Sequence, residues 1–204
     1  IATNGSIQES NESNNLAYNT INVGLWHYIS GNTSDNLVID DLSDGTIYNW
    51  LVSNSSGSNI LATDTESELT FVNLTALSRN TAGTYQSEDF IEVDTRLGTE
   101  NFTDNVNSTY TFGGSPKATK SYTVLSRTIN DVPVANSTNN SNFVTGILWD
   151  ANDGNTEYDG TQDIAFVTEI TKSTSGQKGI VDFEIRVPAL LREYNTTEST
   201  TVYL

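Results

Sequence analysis

The chain has 204 residues, 26 acidic against nine basic side chains for a formal net charge of −17, a single His, and neither Cys nor Met. Charge of this sign excludes nucleic-acid and anionic-membrane binding, since both need clustered Lys and Arg. Without a thiol there is no disulfide framework, thiolate chemistry, iron–sulfur cluster or Cys-ligated zinc.

The imbalance comes from scarce cations rather than surplus acids, because charged residues are only 17% of the chain, against roughly 25% in ordinary soluble domains. Residues 1–78 hold nine acids and no base, and the first cation is Arg79. Polarity is carried instead by 24 Asn and 51 Ser plus Thr. Such a surface suits an extracellular or high-salt setting.

In chain order, residues 1–15 read as a polar N-terminal segment able to act as an inter-subunit arm. They carry no basic stretch followed by an apolar one, so no targeting signal is read there. No window along the chain is apolar enough to span a bilayer. Residues 16–204 then read almost wholly as strand. Short runs rich in Val, Ile, Thr, Tyr and Phe recur between Gly, Asn, Ser and Asp clusters: Asn22–Ile29, Thr46–Val52, Leu69–Leu74, Phe90–Thr95, Ser121–Ile129, Phe143–Trp149, Ile164–Ile170, Ile180–Val187 and Thr201–Leu204. In Ile180–Val187 the apolar Val181, Phe183, Ile185 and Val187 alternate with Asp182, Glu184 and Arg186, and in Phe90–Thr95 Ile91 and Val93 alternate with Glu92 and Asp94. Phe143–Trp149 and Ile164–Ile170 are apolar on both faces, as central strands are. Helix is expected only over Pro188–Tyr194, at most two turns opened by Pro at a tolerated position. The pattern predicts an all-β fold, a single elaborated antiparallel β-sandwich of immunoglobulin-like or jelly-roll-like type. Gly113–Pro116 is the one place where a division into two units would fall.

Three groups of residues carry chemistry. After Trp149, oxygen-bearing side chains recur at Asp150, Asp153, Asn155, Glu157, Asp159 and Asp163, with Gly154 and Gly160 between them. A loop of this composition can wrap calcium, which takes six to eight oxygen ligands, although the spacing is not that of an EF-hand. The alternative is a polar loop whose Asn and Asp make local turn hydrogen bonds. The lesser cluster from Asp40 to Gly45 reads as a turn. N-linked glycans are expected from ten Asn-x-Ser/Thr sequons, at Asn4, Asn11, Asn32, Asn54, Asn73, Asn101, Asn107, Asn136, Asn139 and Asn195, against about six expected by chance at this composition. Trp26, Trp50 and Trp149 would serve either as a sugar-stacking platform or as core anchors. Each sits in an apolar run, which favours the core.

Catalysis finds little support. His27 lies between Trp26 and Tyr28 in an aromatic strand, where it reads as a buried packing residue, and no Gly-x-Ser-x-Gly elbow accompanies it. Phosphate-cradling glycine motifs are absent as well. The chain reads as non-enzymatic.

The segments Thr145–Asp150, Asp163–Ile170 and Gly179–Tyr194, set in an Asn/Ser/Thr-rich and Cys-free background, resemble the β-sandwich head regions of archaeal surface filaments, the pilin and archaellin type. The resemblance covers about 60 residues and departs from that type in lacking the long apolar N-terminal helix. It implies a cell-surface filament subunit. Assembly without such a helix could proceed by donor-strand exchange, with Leu16–Val23 or Thr200–Leu204 completing a neighbour's sheet. Alternatively both ends pair within their own sheet. The expected partners are therefore further copies in a filament or envelope layer. The other reading is an extracellular module binding carbohydrate or a surface protein, with or without calcium.

Overall fold

The structure, a computed structural model, describes residues 25–33, 36–41, 45–51, 59–63, 69–139, 142–151, 154–177, 179–189, 191 and 201–203. Within 36–41, 45–51 and 201–203 it describes the backbone alone. In chain order the first elements are β1 (Trp26–Asn32), β2 (Asn36–Asp41), β3 (Gly45–Leu51), β4 (Asn59–Thr63), β5 (Leu74–Ala76), α1 (Asp89–Leu97) and α2 (Val106–Tyr110). There follow β6 (Thr111–Phe112), β7 (Ser115–Pro116), β8 (Thr119–Val124), β9 (Arg127–Asn136), β10 (Val144–Asp150), β11 (Ile164–Glu169), β12 (Thr174–Gly176), β13 (Gly179–Val181), β14 (Phe183–Pro188) and β15 (Thr201–Tyr203).

Two antiparallel sheets pack together as an all-β sandwich. The smaller has the order β14-β1-β2-β3, and the larger runs β15-β4-β11-β10-β9-β8, with β5 as its seventh strand. One side of β10 is shared in tandem: Val144–Gly146 pair with β9, and Leu148–Asp150 pair with β5. Two small hairpins, β6-β7 and β12-β13, stand apart from both sheets.

Alternation along the central strands explains why they are apolar on both faces. From β10 and β11, Ile147, Trp149, Ile164 and Phe166 join a core with Trp26, Ile185 and Val187 from the smaller sheet and Phe90, Val93, Val106 and Tyr110 from the helices. Their neighbours Leu148, Ala165 and Val167 point the other way, into a second core with Leu61, Tyr122, Ile129 and Val132. The β8-β9 hairpin closes this second core, and Gly146 lets it approach. A Cβ on Gly146 would lie 2.8 Å from Tyr122 Cε2 and 2.9 Å from both Val132 Cγ1 and Val167 Cγ1. The buried tryptophans keep their indole N–H groups satisfied, Trp26 by Asp104 O at 2.7 Å and Trp149 by Arg79 O at 3.0 Å.

Several expected elements are corrected. Phe90–Thr95 is not a strand but the body of α1. Phe90, Val93 and Leu97 are buried while Ile91 is exposed, the i, i+3, i+7 spacing of a helix face rather than a two-residue alternation. Gly98, left-handed at φ 63°, ends it. Helix α2 was also absent from the sequence reading; Asn105 caps it by accepting the Ser108 N–H at 2.8 Å. The helix expected from Pro188 is not formed at its start, since Pro188 closes β14 opposite Trp26, where its missing N–H leaves no broken ladder bond. Ser121–Ile129 is a hairpin turning at Leu125, and Ile180–Val187 is two strands parted at Asp182. Of Leu69–Leu74, residues 71–73 form a turn and only Leu74 belongs to a strand. The Asp40–Gly45 cluster spans the β2-β3 connection, with residues 42–44 outside the described residues.

Gly113 and Gly114, at φ 59° and 79°, form the tight turn of the β6-β7 hairpin. Strand pairing crosses this point, since β10 and β11 bond to β5 and β4.

Candidate functional site

The loop from Asp150 to Asp163 is tied at its base by a hydrogen bond from the Asp150 N–H to Asp163 O at 2.9 Å. Asp150 is buried, and its Oδ2 accepts the Thr70 N–H at 2.7 Å. Exposed Glu157 accepts from Gln86 Nε2 at 3.4 Å. Asp159 Oδ1 accepts from the Thr161 N–H and hydroxyl and from Gln162 Nε2, the local turn pattern of the alternative reading. Those side-chain bonds from Thr161 and Gln162 hold the Asp159 carboxyl below the ordinary Asp range. Asp163 meets Arg96 at 3.6 Å, and Arg96 also donates to Gly160 O and Thr161 O. Asn155 is half-buried, and Asp153 lies outside the described residues. Among the described residues no three His, Asp or Glu side chains gather as a metal centre requires.

Of the sequons, Asn32, Asn101, Asn136 and Asn139 are exposed, whereas Asn73 and Asn107 are half-buried. Asn107 is further engaged through Oδ1, which accepts the Thr111 hydroxyl at 2.8 Å. Asn4, Asn11, Asn54 and Asn195 lie outside the described residues. Three of the exposed sites share one end of the sandwich. Asn32 precedes Thr33, which bonds to Asp182, and Asn136 and Asn139 flank Thr138, which bonds to Glu184 at 3.0 Å. Asp182 and Glu184 are two residues apart at the start of β14.

That pair of carboxylates was missed by the sequence reading, which set Asp182 and Glu184 only on the strand face opposite Phe183 and Ile185. Both are buried. Glu184 accepts the Thr138 hydroxyl and the Gln177 N–H, fastening the β12-β13 hairpin and the segment after β9 to β14. The fully buried Asp94 plays a similar part, accepting the N–H groups of Val106 and Asn107 at 2.8 Å and the Thr99 hydroxyl at 2.7 Å. In each case the donors come from distant or irregular segments, which alternation cannot reveal.

Among the aromatics, Trp26 and Trp149 are buried anchors, as their apolar context implied, and the Trp50 side chain lies outside the description. The exposed rings are different ones. Phe112 is 84% exposed on the β6-β7 hairpin. Tyr85, covered on one face by Arg79, donates to Gly114 O at the turn of the same hairpin. His27 is exposed on β1, contrary to the buried packing role expected of it, because it occupies the outward position between the inward Trp26 and the half-buried Tyr28. Arg186 lies over both Trp26 and Tyr28, 5.3 and 5.4 Å from their rings.

Comparison with protein-family models, curated proteins and solved structures finds no match to this chain. Among the described residues no helix is long and apolar enough to cross a membrane.

Proposed function

We propose that the chain is a non-enzymatic, glycosylated structural protein of the cell surface, a subunit of a filament or envelope layer resembling the archaeal pilin and archaellin type. The observation that carries this reading is the exposure of sequons Asn32, Asn136 and Asn139 around one end of the sandwich, with Asn101 exposed elsewhere. Glycans there would coat an acidic, amine-poor surface without disturbing either core. Electron microscopy of concentrated native protein, with glycopeptide mass spectrometry, tests it. Polymers and sugar on the exposed sequons are expected; dispersed protein bearing no glycan would overturn the reading.

The second reading, an extracellular module binding carbohydrate or a surface protein, is favoured by the exposed rings of Phe112 and Tyr85 at one hairpin. Glycan-array binding lost in Phe112→Ala would support it. Calcium in the Asp150–Asp163 loop belongs to either reading. A melting temperature unchanged between chelator and millimolar calcium would remove the ion, since a ligand of the native state must stabilise it.

A further inference from the structure

The strands at the two ends of the larger sheet's main order, β8 and β15, are built differently. At one edge, β8 carries Lys120, bonded to Glu169, and its register to β9 shifts between Lys120 and Tyr122. A charge and an irregularity are the usual means by which an edge strand is kept from pairing further. The other edge has neither. There β15, at Thr201–Tyr203, is hydrogen-bonded among the described residues to β4 alone, in the antiparallel register Thr201↔Thr63, Val202↔Ala62 and Tyr203↔Leu61. Neither β15 nor β4 contains a charged residue, Gly or Pro.

Strand β4 is no ordinary edge. All five of its residues are buried, Ala62 belongs to the first core and Leu61 to the second, and Thr63 donates to Ile164 O at 2.8 Å. Without β15 the backbone groups of a core strand would stand open. The strand that covers them is reached from Leu191, in the other sheet's part of the chain, over nine intervening residues, 192–200. A connection of that length spans up to about 30 Å when extended, far enough to deliver β15 to the β4 edge of an adjacent molecule. Exchange of this kind replaces each contact by an identical one, so its energetic cost is small.

We infer that β4 is an acceptor edge for the C-terminal strand of a second copy, and that 201–203 of one subunit completes the larger sheet of the next. This inference rests on the filament reading and names its joint. Donated head to tail, the strand propagates an open chain of subunits; donated reciprocally, it closes a dimer.

The absence of Cys from the chain supplies a clean reporter. Facing residues of an antiparallel pair lie about 4.5–5.5 Å apart at Cα, within disulfide range. Ala62→Cys and Val202→Cys are prepared as separate variants, mixed under assembly conditions and oxidised. The expected result is a disulfide-linked species of twice the subunit mass containing one copy of each, and a ladder of linked copies from the double variant. Thr63→Cys with Thr201→Cys repeats the test at the next register position should the first pair fold poorly. If the mixed variants stay unlinked while the double variant closes only within one chain, the exchange is wrong. Polymers seen by microscopy alongside that result would leave the filament reading intact, whereas linked pairs without polymers would sink the filament reading and keep the exchange.

Discussion

Thr33 and Asp182 are 149 positions apart, yet the Thr33 N–H and hydroxyl both donate to Asp182 Oδ2, at 2.8 and 2.9 Å. The Ser173 N–H reaches Oδ1 at 2.8 Å. One carboxylate thus joins the end of β1, the β11-β12 connection and the start of β14. Burial alone would push Asp182 up, but these bonds and the nearby Lys172 outweigh it and hold the carboxyl below the ordinary Asp range. A depressed folded value means stability that is present above the unfolded value and lost as pH falls through the folded one. Asp182→Ala strands three donors in a buried place and should lower unfolding free energy by about 3 kcal/mol, read by urea denaturation at neutral pH. A loss within about 0.5 kcal/mol would mean the carboxylate behaves as a surface group.

Asp89 titrates in the opposite sense. Burial raises it from 3.8 to about 7, with the Ser78 N–H pulling it down and the charges of Glu92 and Glu88 pushing it up further. Asp94, desolvated on the same helix, shifts the same way. The native state therefore holds protons that the unfolded chain releases, and stability from these groups is fully present below the unfolded value and lost as pH rises towards 7. The denaturation midpoint should fall as pH rises from about 4 to about 7, and Asp89→Asn should flatten that fall. Parallel pH profiles for the two proteins would remove Asp89 as the cause.

Gly146→Ala tests how closely the β8-β9 hairpin lies on the larger sheet. The added methyl meets Tyr122, Val132 and Val167 at under 3 Å, and a packed core answers such crowding with a loss of about 1–3 kcal/mol. A thermal midpoint equal to that of the parent would show that the hairpin lifts freely.

Two buried tyrosines should respond oppositely to loss of the hydroxyl. The Tyr110 hydroxyl has no hydrogen-bond partner among the described residues, and burial raises its pKa so that it stays protonated. The Tyr122 hydroxyl donates to Val144 O at 3.2 Å. Tyr110→Phe should keep or raise the melting temperature, whereas Tyr122→Phe should cost about 1 kcal/mol. Equal losses in both variants would refute the distinction.

Apolar runs made the central strands legible in the sequence. Val144–Asp150 and Ile164–Glu169 stand where Phe143–Trp149 and Ile164–Ile170 were expected, because strands buried on both faces must be apolar at every position. Asn36–Asp41 and Asn59–Thr63 were not recognised, since short strands bounded by polar residues take their pairing from neighbours far along the chain. Phe90–Thr95 misled because five or six residues fit a period of 2 as well as 3.6; Leu97 and Gly98, just beyond the window, carried the helical signal. At the candidate sites, sequons and loop composition were readable but side-chain direction was not. Asp150 turning inward to Thr70, and Asp163 turning to Arg96, depend on elements packed against the loop from elsewhere.

The antiparallel ladder between β1 and β14 begins with Trp26 opposite Pro188 and ends with Gly31 opposite Phe183. The chain therefore enters β1 and leaves β14 at the same end of the ladder. Tension applied between residues 26 and 188 would open this pair one rung at a time, as a zip, instead of shearing its bonds together. By that route the smaller sheet yields at low force. Optical-tweezers extension with handles at 26 and 188 would report the low-force opening directly.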